Sequence, residues 1–188
     1  MSGSLTTMGA GICAVIYPHW WAYAKWGQNI NCGKRYRDGK KLSNKMSALE
    51  LIPPLVVLCS SGEMLRGKAV RFYVDNSGSV AMYNKGWSST CMLCNTLVVA
   101  ISQVAAALHC RVELRKIKRC STVEACAADS LSKGGFKKFR TEMPEANLEP
   151  AKILGVLLLW IERPEEDRLL GQKLLKKMSG EMALTGYN

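Results

Sequence analysis

The stretch Val70-Arg-Phe-Tyr-Val-Asp-Asn-Ser77 constrains the fold more than any other part of the chain. Its β-branched and aromatic residues predict a buried strand that ends abruptly at Asp75-Asn76. A carboxylate at the end of a buried strand is costly unless a metal ion or a paired group offsets its desolvation. Two further acids stand in apolar settings, Glu50 in Ala48-Leu-Glu-Leu-Ile52 and Asp129 in Ala127-Ala-Asp-Ser-Leu-Ser132. Three such carboxylates point to a site that gathers a hard cation with oxygen ligands. Each also has a plainer reading. Asp75-Asn76 suits a turn, Glu50 could pair with Lys45 or Lys41 on a helix surface, and Asp129 stands one helical turn before Lys133.

The elements around that strand alternate in type. Residues 9–17 predict a first strand, Pro18-His19 a turn, and residues 20–26 a second, antiparallel strand. Residues 27–44 are polar and basic, with room for a short strand near 34–37. Ser43 or Asn44 can cap a helix beginning near Lys45, which carries Glu50 and should be kinked by Pro53-Pro54. A short helix over 77–84 follows the central strand. Ser88, Ser89 or Thr90 then caps a long helix reaching about His109. Residues 111–118 alternate charged and apolar side chains, as an exposed or edge strand does, and residues 122–131 form an Ala-rich helix. This order predicts an α/β fold with a mixed sheet and helices on its faces. Residues 134–150 read as a loop with basic Lys137, Lys138 and Arg140. Pro164 opens a final helix to Met178, with acids in its first turn and lysines in its last, docked through Leu169, Leu170, Leu174 and Leu175. The chain therefore divides into a domain at 1–141 and a proline-containing, helical extension at 142–188.

Charge supplies the partner class. The net charge is +11. Residues 1–141 carry 20 Lys/Arg against 7 Asp/Glu, whereas residues 142–188 carry 6 against 8. A strongly basic body points to a polyanion, nucleic acid above all. Lys85, Arg115, Lys116, Lys118, Arg119, Lys133, Lys137 and Lys138 are the candidates to track phosphates, most of them flanking Asp129 in sequence. Trp20, Trp21, Tyr23 and Trp26 read as sheet core rather than as a base-stacking platform. The eight cysteines lie mostly in apolar runs of a chain large enough to fold without staples, which predicts free thiols in a reducing compartment. Cys91-Met-Leu-Cys94 has the spacing of half a zinc knuckle but no matching second pair. No apolar run approaches the ~18–20 residues of a membrane span, and no secretory signal is visible. The expectation is an intracellular protein of nucleus or cytoplasm, with no membrane partner.

Taken together, these motifs resemble the ribonuclease H domain of reverse-transcribing elements, closest to the DIRS-like (tyrosine-recombinase) retrotransposons. The likeness rests on Leu49-Glu-Leu-Ile-Pro-Pro54, the strand ending in Asp75-Asn76, the turn Asn84-Lys-Gly-Trp-Ser88, and Ala128-Asp-Ser-Leu-Ser132. It covers roughly residues 4–140, and the tail only loosely. It implies a five-stranded mixed sheet flanked by helices, and cleavage of the RNA strand of RNA–DNA hybrids by two Mg²⁺ ions about 3.5–4 Å apart, with Mn²⁺ as substitute. By the same resemblance Glu50, Asp75 and Asp129 hold the metal and are catalytic. Asn76 and Ser77 face the substrate. Reverse transcriptase or other element-encoded domains are the implied protein partners.

The chain also departs from that pattern. The family's first-strand Asp has no counterpart, because Ser2 in Met1-Ser-Gly-Ser4 most nearly takes its place, and a neutral hydroxyl cannot bridge two dications. The segment before Asp129 lacks the His and the Gly-x-x-Asn common in related enzymes. Both departures put turnover in question, not the fold. The alternative expectation is a non-catalytic nucleic-acid-binding or assembly module that keeps the fold.

Overall fold

The computed structural model describes residues 11–16, 19–25, 46–88, 91–162 and 167–184. Strands β1 (Gly11–Ile16) and β2 (Trp20–Lys25) pair antiparallel, from Gly11 opposite Lys25 to Ile16 opposite Trp20. Three helices follow: α1 (Met46–Leu49), α2 (Ile52–Ser60) and α3 (Gly62–Leu65). Strand β3 (Ala69–Val74) then leads through α4 (Ser77–Lys85) and α5 (Met92–Ala107) to β4 (Arg111–Lys116). The two strands pair parallel, from Ala69 opposite Arg111 to Val74 opposite Lys116. Helices α6 (Val123–Ser132), α7 (Phe136–Glu142), α8 (Gly155–Glu162) and α9 (Leu170–Leu184) complete the chain. The architecture is mixed α/β.

Helix α5 organises the core. Leu93, Leu97, Ala100, Ile101 and Val104 are fully buried along it, and α2 packs beside it through Leu55 and Leu58. A second, smaller cluster joins Trp21 of β2 to Ala127 and Leu131 of α6 and to Phe139 of α7. Trp21 and Phe139 lie 5.0 Å apart between ring centroids, and Trp21 Nε1 donates to Asn147 O at 2.7 Å. The ring of Trp21 is thus core, as the sequence pattern predicts, while Trp26 lies outside the described residues.

Several expectations need correction. Among the described residues the strands form two separate pairs, so a five-stranded sheet is not seen; the short strand expected near 34–37 falls outside them. Strand β3 is half-exposed rather than buried. Tyr73 is 55% exposed and Arg71 pairs with Glu113 at its surface, because only the face carrying Val70, Phe72 and Val74 turns to the core. Glu50 lies in the turn between α1 and α2, not on a helix. Pro53 and Pro54 do not kink α2; they begin it, in the first turn where a backbone N–H has no intrahelical acceptor. The cap of α5 is Cys91, whose Sγ accepts from Cys94 N at 3.4 Å; Ser88 instead accepts from Cys91 N at 3.1 Å. The expected loop 134–150 contains α7, held by burial of Phe139 and Met143 between its basic residues.

The tail joins the main core. Leu157, Trp160 and Ile161 of α8 and Leu170, Leu174 and Met178 of α9 belong to the same buried cluster as α5. Docking through Leu170 and Leu174 is as predicted, Leu175 is partly buried, and Leu169 is exposed just before the helix starts. Pro164 lies outside the described residues. Leu174→Ala should cost about 2–5 kcal/mol in urea unfolding, whereas Leu169→Ala should stay within about 0.5 kcal/mol. Equal effects would refute this seating of α9.

Candidate functional site

Parallel pairing sets the carboxyl ends of β3 and β4 side by side. Asp75 follows β3, Ile117 N donates to Val74 O at 2.9 Å, and Lys116, Lys118 and Arg119 crowd the same end. An open cleft of about 640 Å³ is lined there by Asp75, Lys116, Ile117, Lys118 and Arg119. Such an end is where ligands bind open α/β sheets.

Arg119 ties two of the candidate acids together. Its Nε and Nη2 both donate to Asp75 Oδ2 at 3.0 Å, and its Nε lies 3.6 Å from Asp129 Oδ1. Asp129 is also held by Lys133 Nζ at 2.6 Å, one helical turn along α6. Lys116 and Lys133 lower the pKa of Asp75, but by less than its burial and its acidic neighbour raise it. Desolvation first, and the charge of Asp129 second, raise its pKa above the usual aspartate value. Glu50 is raised further, to about 7, by desolvation and then by the charge of Asp75. The three acids therefore feel one another, Glu50 through Asp75 and Asp75 through Asp129. Among the described residues, however, no three acidic, Cys or His side chains sit close enough to form a ready cation cage.

Cys13 of β1 completes this neighbourhood, and nothing in its local sequence marks it. Burial, then the charge of Glu50, push its thiol up to about 12, and Asp129 adds to the rise. Its Sγ donates to Ala128 O at 2.9 Å, next to Asp129. The only available signal was that Cys13 and Val15 alternate with the buried Ile12 and Ala14, so they share the strand's other face.

The remaining predicted residues divide by role. Asn76 is the N-cap of α4: its Oδ1 accepts from Ser79 N at 3.1 Å and from Ser47 Oγ at 3.2 Å, fastening α1 to α4. Ser77 is exposed in the first turn of α4. Lys85 projects over the exposed ring of Trp87, 4.3 Å from its centroid. Arg115 pairs with Glu113 at 2.7 Å on the surface of β4, and Lys138 lies 3.7 Å from Glu142 on α7. Lys137 is exposed on α7. The structure thus gathers Asp75, Lys116, Lys118, Arg119, Asp129 and Lys133 at one end of the parallel pair, and leaves Lys85, Lys137 and Lys138 on separate helices.

Comparison with known proteins gives no match: no protein-family model, no curated protein and no solved structure matches this chain. No helix among the described residues is long and apolar enough to cross a membrane.

Glu50 carries a pH signature. Below about pH 4.5 it is protonated in both folded and unfolded chains and contributes nothing. As pH rises toward about 7, the unfolded chain ionises while the folded one keeps its proton, so stability falls and then levels off. Glu50→Gln removes that loss. In urea unfolding with a chelator present, the variant should match the parent at pH 4 and exceed it by up to about 3 kcal/mol at pH 8. A gap independent of pH would show that Glu50 is not desolvated.

Proposed function

We propose that the chain is a ribonuclease H-like domain of retroelement origin, cleaving the RNA strand of RNA–DNA hybrids with two Mg²⁺ ions. One observation carries this reading: Glu50, Asp75 and Asp129, far apart in sequence, interact electrostatically beside a cleft with Lys116, Lys118 and Arg119 on its wall. In this reading β1–β2 and β3–β4 are parts of one five-stranded mixed sheet.

The donor set suits hard dications. Its acids offer carboxylate oxygen, and their mutual repulsion and desolvation are the costs that a dication offsets. Glu50, Asp75 and Asp129 would hold Mg²⁺, or Mn²⁺ in its place. Bound there, the metal would supply an activated water and stabilise the leaving oxygen. Arg119 would then have to release Asp75 and Asp129, and would join Lys116 and Lys118 as a phosphate contact on the cleft wall. Lys85, Arg115, Lys133, Lys137 and Lys138 extend the basic surface, while Asn76 and Ser77 lie just past the strand end. Reverse transcriptase or another element-encoded domain is the fitting protein partner.

The hold of Arg119 on two of the three acids also favours a second reading, a non-catalytic nucleic-acid-binding or assembly module. There the guanidinium is a permanent substitute for metal. The first-strand position, Ser2, lies outside the described residues.

One experiment separates the two. A labelled RNA–DNA hybrid is incubated with Mg²⁺ or Mn²⁺ beside duplex RNA and duplex DNA, and binding is followed in the same samples across a salt series. The nuclease reading expects metal-dependent cutting of the hybrid, reduced at least about a hundredfold by Asp75→Asn with binding retained. Salt-sensitive binding with no cutting under either metal supports the module. Cutting unchanged by Asp75→Asn would remove Asp75 from the mechanism.

A further inference from the structure

Parallel strands are usually covered on both faces, because their crossover helices lie there. Among the described residues, the β3–β4 pair buries one face and shows the other to solvent. Val74 and Leu114 belong to the main core, and Val70, Phe72 and Val112 pack against it. Alternation turns Arg71 and Tyr73, and across the register Arg111, Glu113 and Arg115, to the opposite face. Tyr73 is 55% exposed there, between arginine side chains that are more than half exposed. A strand aromatic left in water forgoes the burial that its ring would otherwise gain.

One carboxylate frames that ring. Tyr73 stands opposite Arg115 in the register, and Arg71 opposite Glu113. Glu113 Oε2 accepts from Arg71 Nε at 2.9 Å, and its Oε1 accepts from Arg115 Nε at 2.7 Å. Glu113 thus braces two guanidinium groups, one two residues back from Tyr73 along β3 and one directly across from it. Each guanidinium has five N–H donors and spends only part of them on Glu113.

Charge decides the class of ligand. Arg71, Arg111 and Arg115 outnumber Glu113, so the face is cationic, and its carboxyl end runs into Lys116 and Lys118 of the cleft. The fully buried centre of a protein interface is depleted in charge, whereas this ring has guanidinium groups for neighbours. An exposed aromatic ring among arginines suits an unpaired base and its phosphates. Bases stacked inside a duplex offer no free ring face, so the fitting ligand is single-stranded.

We propose that the outer face of β3–β4 binds single-stranded nucleic acid, with Tyr73 as the base-stacking platform and Arg71, Arg111 and Arg115 as phosphate contacts. From Arg111 to Lys116 the strand covers about 17 Å, so a nucleic-acid strand lying along it reaches from the platform to the cleft. The site needs no metal and does not rest on the nuclease reading.

The test uses the full chain in the presence of a chelator. Anisotropy follows a labelled uridine oligomer of about ten nucleotides, a length typical of single-strand sites, beside a labelled RNA–DNA hybrid. Tyr73→Ala should weaken oligomer binding about tenfold or more, while Tyr73→Phe stays within about twofold, because the ring and not the hydroxyl stacks. Both variants should melt with the parent, leave hybrid binding unchanged, and keep the slope of log affinity against log salt. Arg115→Ala should instead reduce that slope by about 0.7, one single-strand phosphate contact. No oligomer binding by the parent, or equal binding by Tyr73→Ala, would overturn the proposal. A parent dimer that Tyr73→Ala converts to monomer would assign the face to a second copy of the chain and overturn it as well. Loss of hybrid binding with oligomer binding intact would count against the cleft and leave the platform standing.

Discussion

The parallel pairing of β3 with β4 is the constraint on which the rest depends. Two parallel strands cannot be joined by a tight turn, so the chain must travel back along the sheet before β4 begins. Helices α4 and α5 make that crossing, and α5 becomes the apolar rod against which α2 and α9 pack. The same pairing puts both carboxyl ends on one side. Asp75 and the run 116–119 meet there because Val74 stands opposite Lys116, not because they are close in sequence. Core and candidate site are two consequences of one hydrogen-bonded register.

What the sequence made legible was whatever repeats with a short period. Strands β1 and β2 and the start of β3 follow from alternation and turn residues, and α6 follows from Thr122 and its alanines. Helix α7 was hidden because Gly134-Gly135 and Pro144 bracket it and its lysines dominate its composition. The signal present was the spacing of Phe136, Phe139 and Met143, a helical stripe too short to stand out from a basic loop. The prolines of α2 misled in the opposite direction. A Pro-Pro pair reads as a break, yet in the first turn it costs no hydrogen bond.

The candidate acids were legible by type and setting, but their partners were not. Arg119 was one basic residue among many until β4 ended and the chain turned back toward Asp75. Asn76 has a capping task that its local sequence did not single out: its Oδ1 accepts from Ser79 N and Ser47 Oγ. Local sequence records the chemistry that a side chain can do, and only the tertiary fold decides which of its atoms are already engaged.

Arg119 and the dications of the proposed function would be competing solutions to one electrostatic problem. Three carboxylates drawn partly out of water repel one another, and something positive must offset that repulsion. A guanidinium is planar and singly charged, and at this site it makes close contact with one oxygen of Asp75 and a longer one with Asp129. Lys133 supplies the second charge at Asp129. Even so, Asp75 stays above the usual aspartate range and Glu50 reaches about 7, first because both are desolvated and then because each faces another acid. A dication concentrates twice the charge at one point and accepts oxygen from several directions. The proposed exchange of the guanidinium for metal would draw on the desolvation that remains at Glu50 and Asp75. The contacts Arg119 already holds would resist that exchange.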